Sequence, residues 1–262
     1  LQRSDDVRHC ERRSRAAIKS GARPEPADAG LPRPLGRLAM TKEGSPIKLY
    51  GYFRSSTSYR LRIALNLKGL AFENIPVNLV TGANKDAAFT ARNPFGSLPM
   101  LEADGRDRAQ SMALLEWLDE AYPEPALLPK DIESRYTVRE LTYGIATEIH
   151  AINNLPVLKY LKDPLGHTQD EINVWYRHWL ARTLKPVEAR LAQLTTGDFL
   201  HGDAPGLFEV VLIPQLANAR RFDYDLSASP HMTRIEAACL ALPAFINAHP
   251  DNQIDSPERG QT

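Results

Sequence analysis

From Ile47 onward the hydrophobic positions switch between a strand-like and a helix-like period. Ile47 to Phe53 (IKLYGYF) is a short apolar and aromatic run that predicts a buried strand. Tyr59 to Lys68 is rich in helix formers, with Ile63, Ala64 and Leu67 on one face, and Gly69 supplies a stop. Phe72 to Leu79 (FENIPVNL) predicts a second strand, placed at a sheet edge because Pro76 lacks an N–H donor. Thr81 to Arg92 is a polar connection with some helical character, closed by Asn93-Pro94. Leu98 to Glu102 predicts a short strand and Asp104-Gly105 a hairpin turn, after which the partner strand leads into Gln110-Ser111. Ser111 is placed to cap a helix from Met112 to Ala121, apolar at Leu114, Leu115 and Leu118. Beyond the proline-rich stretch PEPALLP (123–129) strand signals stop. Helical patterns then cover 131–162, 170–195, roughly 207–221 and 231–248.

A βαβ unit followed by ββα therefore predicts a small α/β domain over 46–126, and the helical patterns predict an all-α domain over 131–252. Ligand clefts favour such domain interfaces, which places the expected site between them. The first 39 residues break the pattern: nine Lys/Arg stand against five Asp/Glu, with several prolines and no apolar run. They lack the features of a secretory signal, and 1–45 is expected to be a disordered extension, with 1–39 upstream of a true start at Met40. Across all 262 residues Lys+Arg and Asp+Glu balance at 32 each, which gives no electrostatic case for nucleic acid or an anionic membrane. The two cysteines, Cys10 and Cys239, are far apart and form no metal-ligand motif. They fit a reducing, cytoplasmic compartment.

The densest chemistry lies at the first strand-to-helix junction, FRSSTSYRLRIAL (53–65). Ser55, Ser56, Thr57 and Ser58 sit where four backbone N–H groups lack helical partners and the macrodipole is positive. One reading is a capped helix. Another is a site that holds a thiolate. Keeping a thiol of pKa about 8.5 ionised at neutral pH takes a drop of about two units, or about 2.7 kcal/mol. One donated hydroxyl hydrogen bond plus a helix N-terminus worth about 0.3–2 kcal/mol is of that size. Neither cysteine is placed for this, so the sulfur would belong to a ligand.

Asn93-Pro94-Phe95-Gly96-Ser97-Leu98-Pro99, followed by Gln110-Ser111 at a helix start, resembles the glutathione-binding signature of the glutathione transferase fold. With SSTSYRLRIALNLKGL (55–70), QSMALLEWLDEAYPEPALLP (110–129) and EIHAINNLPVLKYL (148–161), the chain is similar to the zeta class from Pro46 to Pro257. That class includes maleylacetoacetate and maleylpyruvate isomerases. The resemblance implies a thioredoxin-like N-terminal domain, an all-α C-terminal domain, glutathione as cofactor and a homodimer. It implies a cis Leu98-Pro99 bond that presents the Leu98 backbone to the cysteinyl part of glutathione. Gln110 and Ser111 would hold the γ-glutamyl carboxylate. Ser55, then Ser56, would face the sulfur, with Thr57 as helper. His150, Asn154 and Leu155 would contact glutathione from the helical domain, and Arg54 and Arg221 would receive substrate carboxylates.

The activity implied is glutathione-dependent isomerisation of maleylacetoacetate to fumarylacetoacetate, a step of phenylalanine and tyrosine catabolism. Maleylpyruvate isomerase and general glutathione transferase are the alternatives, and a non-catalytic module ranks last. The chain departs from the family at three points. Thr57 and Tyr59 stand where the SSCSW motif has Cys and Trp. The loop after the second strand is short, with Asn84 offered in place of the usual glutamine. Gly206 replaces the N-cap threonine of the helical domain's folding motif, although Glu209 keeps the reciprocal acid.

Overall fold

Four short strands form one mixed sheet in the computed structural model of the chain, which describes residues 46–259. The extension expected over 1–45 lies outside the described residues. Strand β1 (Ile47–Gly51) pairs in parallel with β2 (Phe72–Pro76) and antiparallel with β3 (Met100–Ala103). β3 pairs antiparallel with β4 (Arg106–Ala109), which gives the order β2-β1-β3-β4. β2 is an edge strand, and it ends at Pro76 instead of running on to Leu79. The Asp104-Gly105 hairpin has positive φ at both residues, 52° and 65°, as a tight turn matched to strand twist requires.

Helix α1 (Ser56–Leu67) crosses from β1 to β2 and begins three residues before the Tyr59 start expected from periodicity. It is also not amphipathic: residues 56–65 are all buried, Arg60 and Arg62 included, whereas Leu67 is only partly so. The helix lies among α3 (Ser111–Ala121), α8 (Leu207–Arg221) and α10 (Pro243–Ala248), so every face meets protein. A short α2 (Ala87–Arg92) follows a single 3₁₀ turn at Ala83–Lys85.

The helical part differs from four continuous segments in two places. The 131–162 pattern divides into α4 (Ile132–Ile145), a π-helical turn (Ala146–His150), α5 (Ala151–Asn153) and α6 (Leu155–Lys162). Asn154 forces the last break: its Oδ1 accepts from Val157 N at 3.1 Å as the cap of α6, and Pro156 sits in the first turn. α7 (Gln169–Leu191) runs 23 residues through Pro186. The 231–248 pattern divides at Leu242 into α9 (Pro230–Leu240) and α10, with Pro243 opening the second helix. Gly206 precedes α8 for a steric reason. A Cβ there would come within 2.7 Å of the Leu127 carbonyl oxygen. That oxygen instead accepts from Leu207 N at 2.8 Å. The Glu209 carboxylate keeps its half of the capping box, accepting from Gly206 N at 2.8 Å, and also accepts from Leu200 N at 2.7 Å.

Past the end of α1, Lys68 ties this helix to the end of α3 and the start of the linker. Its side chain is fully buried, and Nζ donates to Asp119 Oδ1, Tyr122 O and Pro125 O at 2.9, 2.7 and 2.9 Å. All three ammonium protons are thus placed, and Asp119 Oδ1 also accepts from Leu127 N. Lys68→Met leaves a largely buried carboxylate without its counter-charge and two carbonyls without a donor. It is expected to lower the unfolding free energy by about 3–5 kcal/mol. A urea unfolding midpoint equal to that of the wild type would show that this tie contributes nothing.

Candidate active site

The β1–α1 turn is held from both ends. Phe53 N donates to Asp255 Oδ2 at 2.9 Å, and Phe53 O accepts from Arg62 Nη2 at 3.0 Å. Ser55 is then the N-cap of α1, its Oγ accepting from Ser58 N at 3.2 Å. The same Oγ lies 2.9 Å from Thr57 Oγ1, and Thr57 donates to the Leu98 carbonyl at 3.0 Å. With the Thr57 proton on Leu98, Ser55 must be the donor between the two hydroxyls. The hydroxyl turn and the Leu98-Pro99 edge are therefore one hydrogen-bonded unit, and the Leu98-Pro99 bond is cis. Ser58, wholly buried, accepts from Tyr52 N and serves the turn itself.

Two asparagines brace the loop that carries Leu98. Asn93 Nδ2 donates to Ser97 O and Asn84 Nδ2 to Gly96 O, both at 2.7 Å. Asn84, offered in place of the family's glutamine, is buried there and spends its amide N–H on the loop.

Gln110 is exposed with φ 73°, an uncommon backbone state for a residue with a side chain. It is the N-cap of α3, and Ser111 is the first helical residue, one place later than its expected role. Ser111 is buried and does not cap; its Oγ accepts from Arg60 Nη1 at 3.3 Å. This end of α3 combines orphan N–H groups, a hydroxyl and a nearby guanidinium, a donor set suited to a carboxylate.

His150 occupies the last position of the π-helical turn, a distortion frequent at functional sites. Burial, and then the Arg60 charge, push its imidazole down to about 3, so it is neutral at physiological pH. Asn154 spends its side chain on α6, also donating to Ala151 O at 2.9 Å, and Leu155 is exposed.

Between the two regions lies a cavity of about 330 Å³, lined by Arg54, Ser56, Asn218, Arg221, His249 and Asp251 among others. Desolvation lowers the Arg221 guanidinium, Tyr176 opposes this, and the charge of Arg54 adds to the lowering. Arg54 and Arg221 thus share one cavity with a serine of the hydroxyl turn. Asn218, His249 and Asp251 were not foreseen, nor was Asp255, which anchors the turn. The C-terminal stretch carries no motif that marks them. Burial pushes the Cys239 thiol far up, so it is no thiolate source.

The His150 shift has a consequence for stability. The folded chain binds this proton less readily than the unfolded chain, whose value is 6.5. Stability is therefore lost as pH falls from about 6.5 towards about 3. Relative to its own value at pH 7, His150→Gln is expected to lose less stability than the wild type near pH 5. Urea midpoints at the two pH values test this; parallel losses in both proteins would contradict it.

Comparison with known proteins gives the lineage. Residues 45–120 match the family model "Glutathione S-transferase, N-terminal domain". A probable maleylacetoacetate isomerase of Vibrio cholerae is 44% identical over 210 residues, covering 79% of this chain and 97% of that protein. The holo structure of a maleylpyruvate isomerase, a bacterial zeta-class glutathione S-transferase, superposes with a TM-score of 0.78. It is 42% identical and covers 80% of this chain and 99% of that one. Maleylacetoacetate isomerase from Anaeromyxobacter dehalogenans, solved with glutathione in its active site, gives a TM-score of 0.72 at 43% identity. There 80% of this chain and 98% of that one are covered. The paired Thr57–Leu98 edge, the Gln110-Ser111 helix start and this likeness along nearly the whole length of its relatives agree: the chain belongs to the zeta class of the glutathione S-transferase family.

Proposed function

We propose that the chain is a glutathione-dependent cis–trans isomerase acting on maleylacetoacetate. The observation that carries the reading is the cavity in which Arg54 and Arg221 meet Ser56, against the hydroxyl turn bonded to Leu98. Rotation about a carbon–carbon double bond is prohibitive unless its bond order is lowered. Bound glutathione supplies a thiolate that adds reversibly to the alkene, so that the bond turns as a single bond while charge passes to the neighbouring keto group.

The chain's residues bind, orient and stabilise. Gln110 and Ser111 take the γ-glutamyl carboxylate, and His150, Asn154 and Leu155 close the site from the helical side. Leu98 offers its backbone to the cysteinyl unit. Once its carbonyl takes a ligand N–H, the Thr57 proton is free to turn to Ser55 Oγ, and the Ser55 proton is released towards the sulfur. A hydroxyl lowers a thiol's pKa mildly, which preserves nucleophilicity better than a cation beside the sulfur. Arg54 and Arg221 hold the two carboxylates of a maleyl keto acid and steady the charge that builds on its keto oxygen. A homodimer in the cytoplasm belongs to the same proposal, by family likeness; among the described residues no helix is long and apolar enough to cross a membrane.

The test is a spectrophotometric isomerase assay on maleylacetoacetate and maleylpyruvate, each with and without glutathione. Turnover of maleylacetoacetate that requires glutathione is expected; turnover without it would sink the mechanism. Exclusive turnover of maleylpyruvate would establish the second reading, which the maleylpyruvate isomerase likeness favours. Ser55→Ala is expected to raise the bound thiol's pKa by about one unit, read from thiolate absorbance, with smaller effects for Ser56→Ala and Thr57→Ala. Arg54→Met and Arg221→Met should each raise KM at least about tenfold, the worth of a charged hydrogen bond.

A further inference from the structure

Helix α2 buries none of its six residues, yet the loop that carries Leu98 hangs from its end. Thr90 spends its hydroxyl on the Asp86 and Ala87 carbonyls of its own turn. Arg92, the last residue of α2, instead reaches the sheet. Its Nε and Nη2 hold both oxygens of Asp107 on β4 at 2.8 and 2.6 Å. Nη2 also donates to Glu102 on β3 at 2.6 Å, and Nη1 to the Tyr50 hydroxyl on β1 at 2.8 Å. The guanidinium carbon lies 4.6 Å from the centroid of the Tyr50 ring. One side chain thus clamps three strands. Lys48 and Tyr50 alternate with the buried Ile47 and Leu49, which marks this as the sheet's outer face. Glu102 and Asp107 stand directly opposite each other in the β3–β4 ladder, where like charges repel, and Arg92 Nη2 bridges them. Lys48 and Tyr50 complete the network, donating to the two oxygens of Glu102 at 2.9 Å each.

The clamp closes a loop. Arg92 and Glu102 are ten positions apart, and Leu98 lies between them. Within this loop Asn93 holds Ser97, while Asn84 holds Gly96 from outside it. Both asparagines are buried, whereas the Arg92 side chain is 36% exposed. An isolated exposed ion pair contributes little, but a forked guanidinium shared between two carboxylates and a phenol is the arrangement in which such pairs count. Of the three braces, this is the one that dissolved salt reaches.

We propose that Arg92 is a positioning residue for glutathione: by clamping α2 to the sheet it fixes the loop that presents Leu98, and so sets the affinity for the tripeptide without touching it. The assignment rests on the glutathione reading above and adds to it a residue and a response to ionic strength. A loosened clamp lets the loop sample arrangements in which Leu98 is turned away from the ligand. Only the clamped fraction binds, so the apparent affinity falls with that fraction. Chemistry on a tripeptide already bound is spared, because Ser55 caps α1 and Arg221 ends α8, neither of which the clamp holds.

Calorimetric titration of glutathione at low and high salt tests this, with the isomerase assay run beside it. Arg92→Met is expected to weaken glutathione binding about 3- to 10-fold, the range of one or two exposed ion pairs. Its KM for glutathione should rise by the same factor while kcat at saturating glutathione holds. Arg92→Lys keeps the charge without the fork and should recover only part of the affinity. Added salt should cost the wild type more affinity than it costs Arg92→Met, since both share the response of the ligand's own charges. Asp107→Asn should shift affinity in the same direction, and adding it to Arg92→Met should cost nothing further. Hydrogen exchange in Arg92→Met should quicken at Gly96 N, which donates to Asn93 O at 2.8 Å, and stay unchanged in α8. Wild-type affinity and salt response in Arg92→Met would overturn the assignment, as would a fall in kcat equal to the fall in affinity. Should Arg92→Met not fold, Asp107→Asn decides alone, and unchanged affinity there overturns the assignment. A wild type that does not bind glutathione overturns the glutathione reading and this assignment with it.

Discussion

Everything in the molecule turns on the enclosure of α1. A helix surrounded by a sheet on one side and by α3, α8 and α10 on the others has no solvent face on which to leave its polar side chains. Its cations must therefore find partners inside. Arg62 finds backbone carbonyls from the turn before the helix and from the end of α10. Lys68 finds the end of α3 and the linker. Asn66 reaches the Ala244 carbonyl at 2.9 Å. One helix thus fastens the β1–α1 turn, the linker and the C-terminal helices at once. The β1–α1 turn is held in place by bonds from the interior.

The hydroxyl turn shows how a serine can cap a helix and keep its proton for another partner. A serine oxygen has two lone pairs and one proton. Ser55 spends a lone pair on Ser58 N and directs its proton to Thr57. The capping bond survives whichever way that proton points, so reorienting it costs the helix nothing. Threonine in place of the family's cysteine supplies a second hydroxyl in the line, and thereby links the proton on Ser55 to the state of the Leu98 carbonyl. A cysteine thiol, a weak donor, would make that link far less firm.

Much of this was legible in the residues. Local signals placed the four strands, the Asp104-Gly105 hairpin, the edge position of β2 and the start of α8. The distant pairing of the serine turn with NPFGSLP and Gln110-Ser111 carried the family. What failed were inferences from periodicity where tertiary enclosure overrules it. Periodicity assumes a solvent face, and α1, with Arg60 and Arg62 both buried, lacks one. The π-helical turn before His150 leaves no trace in the apolar pattern. Pro156 and Pro243, both helix openers, were the missed signals for the breaks in the helical region. Asp255 was invisible for another reason: its partner is a backbone N–H 202 positions away, and main-chain groups carry no sequence signature.

That last bond has a consequence for the order in which the site comes into being. Phe53 and Asp255 stand 202 positions apart, so the turn can be clasped only after the whole stretch between them exists. A ribosome releases the glutathione-side strands and α1 long before it has made the residue that secures them. During synthesis the serine turn therefore waits half-fastened until Asp255 has emerged.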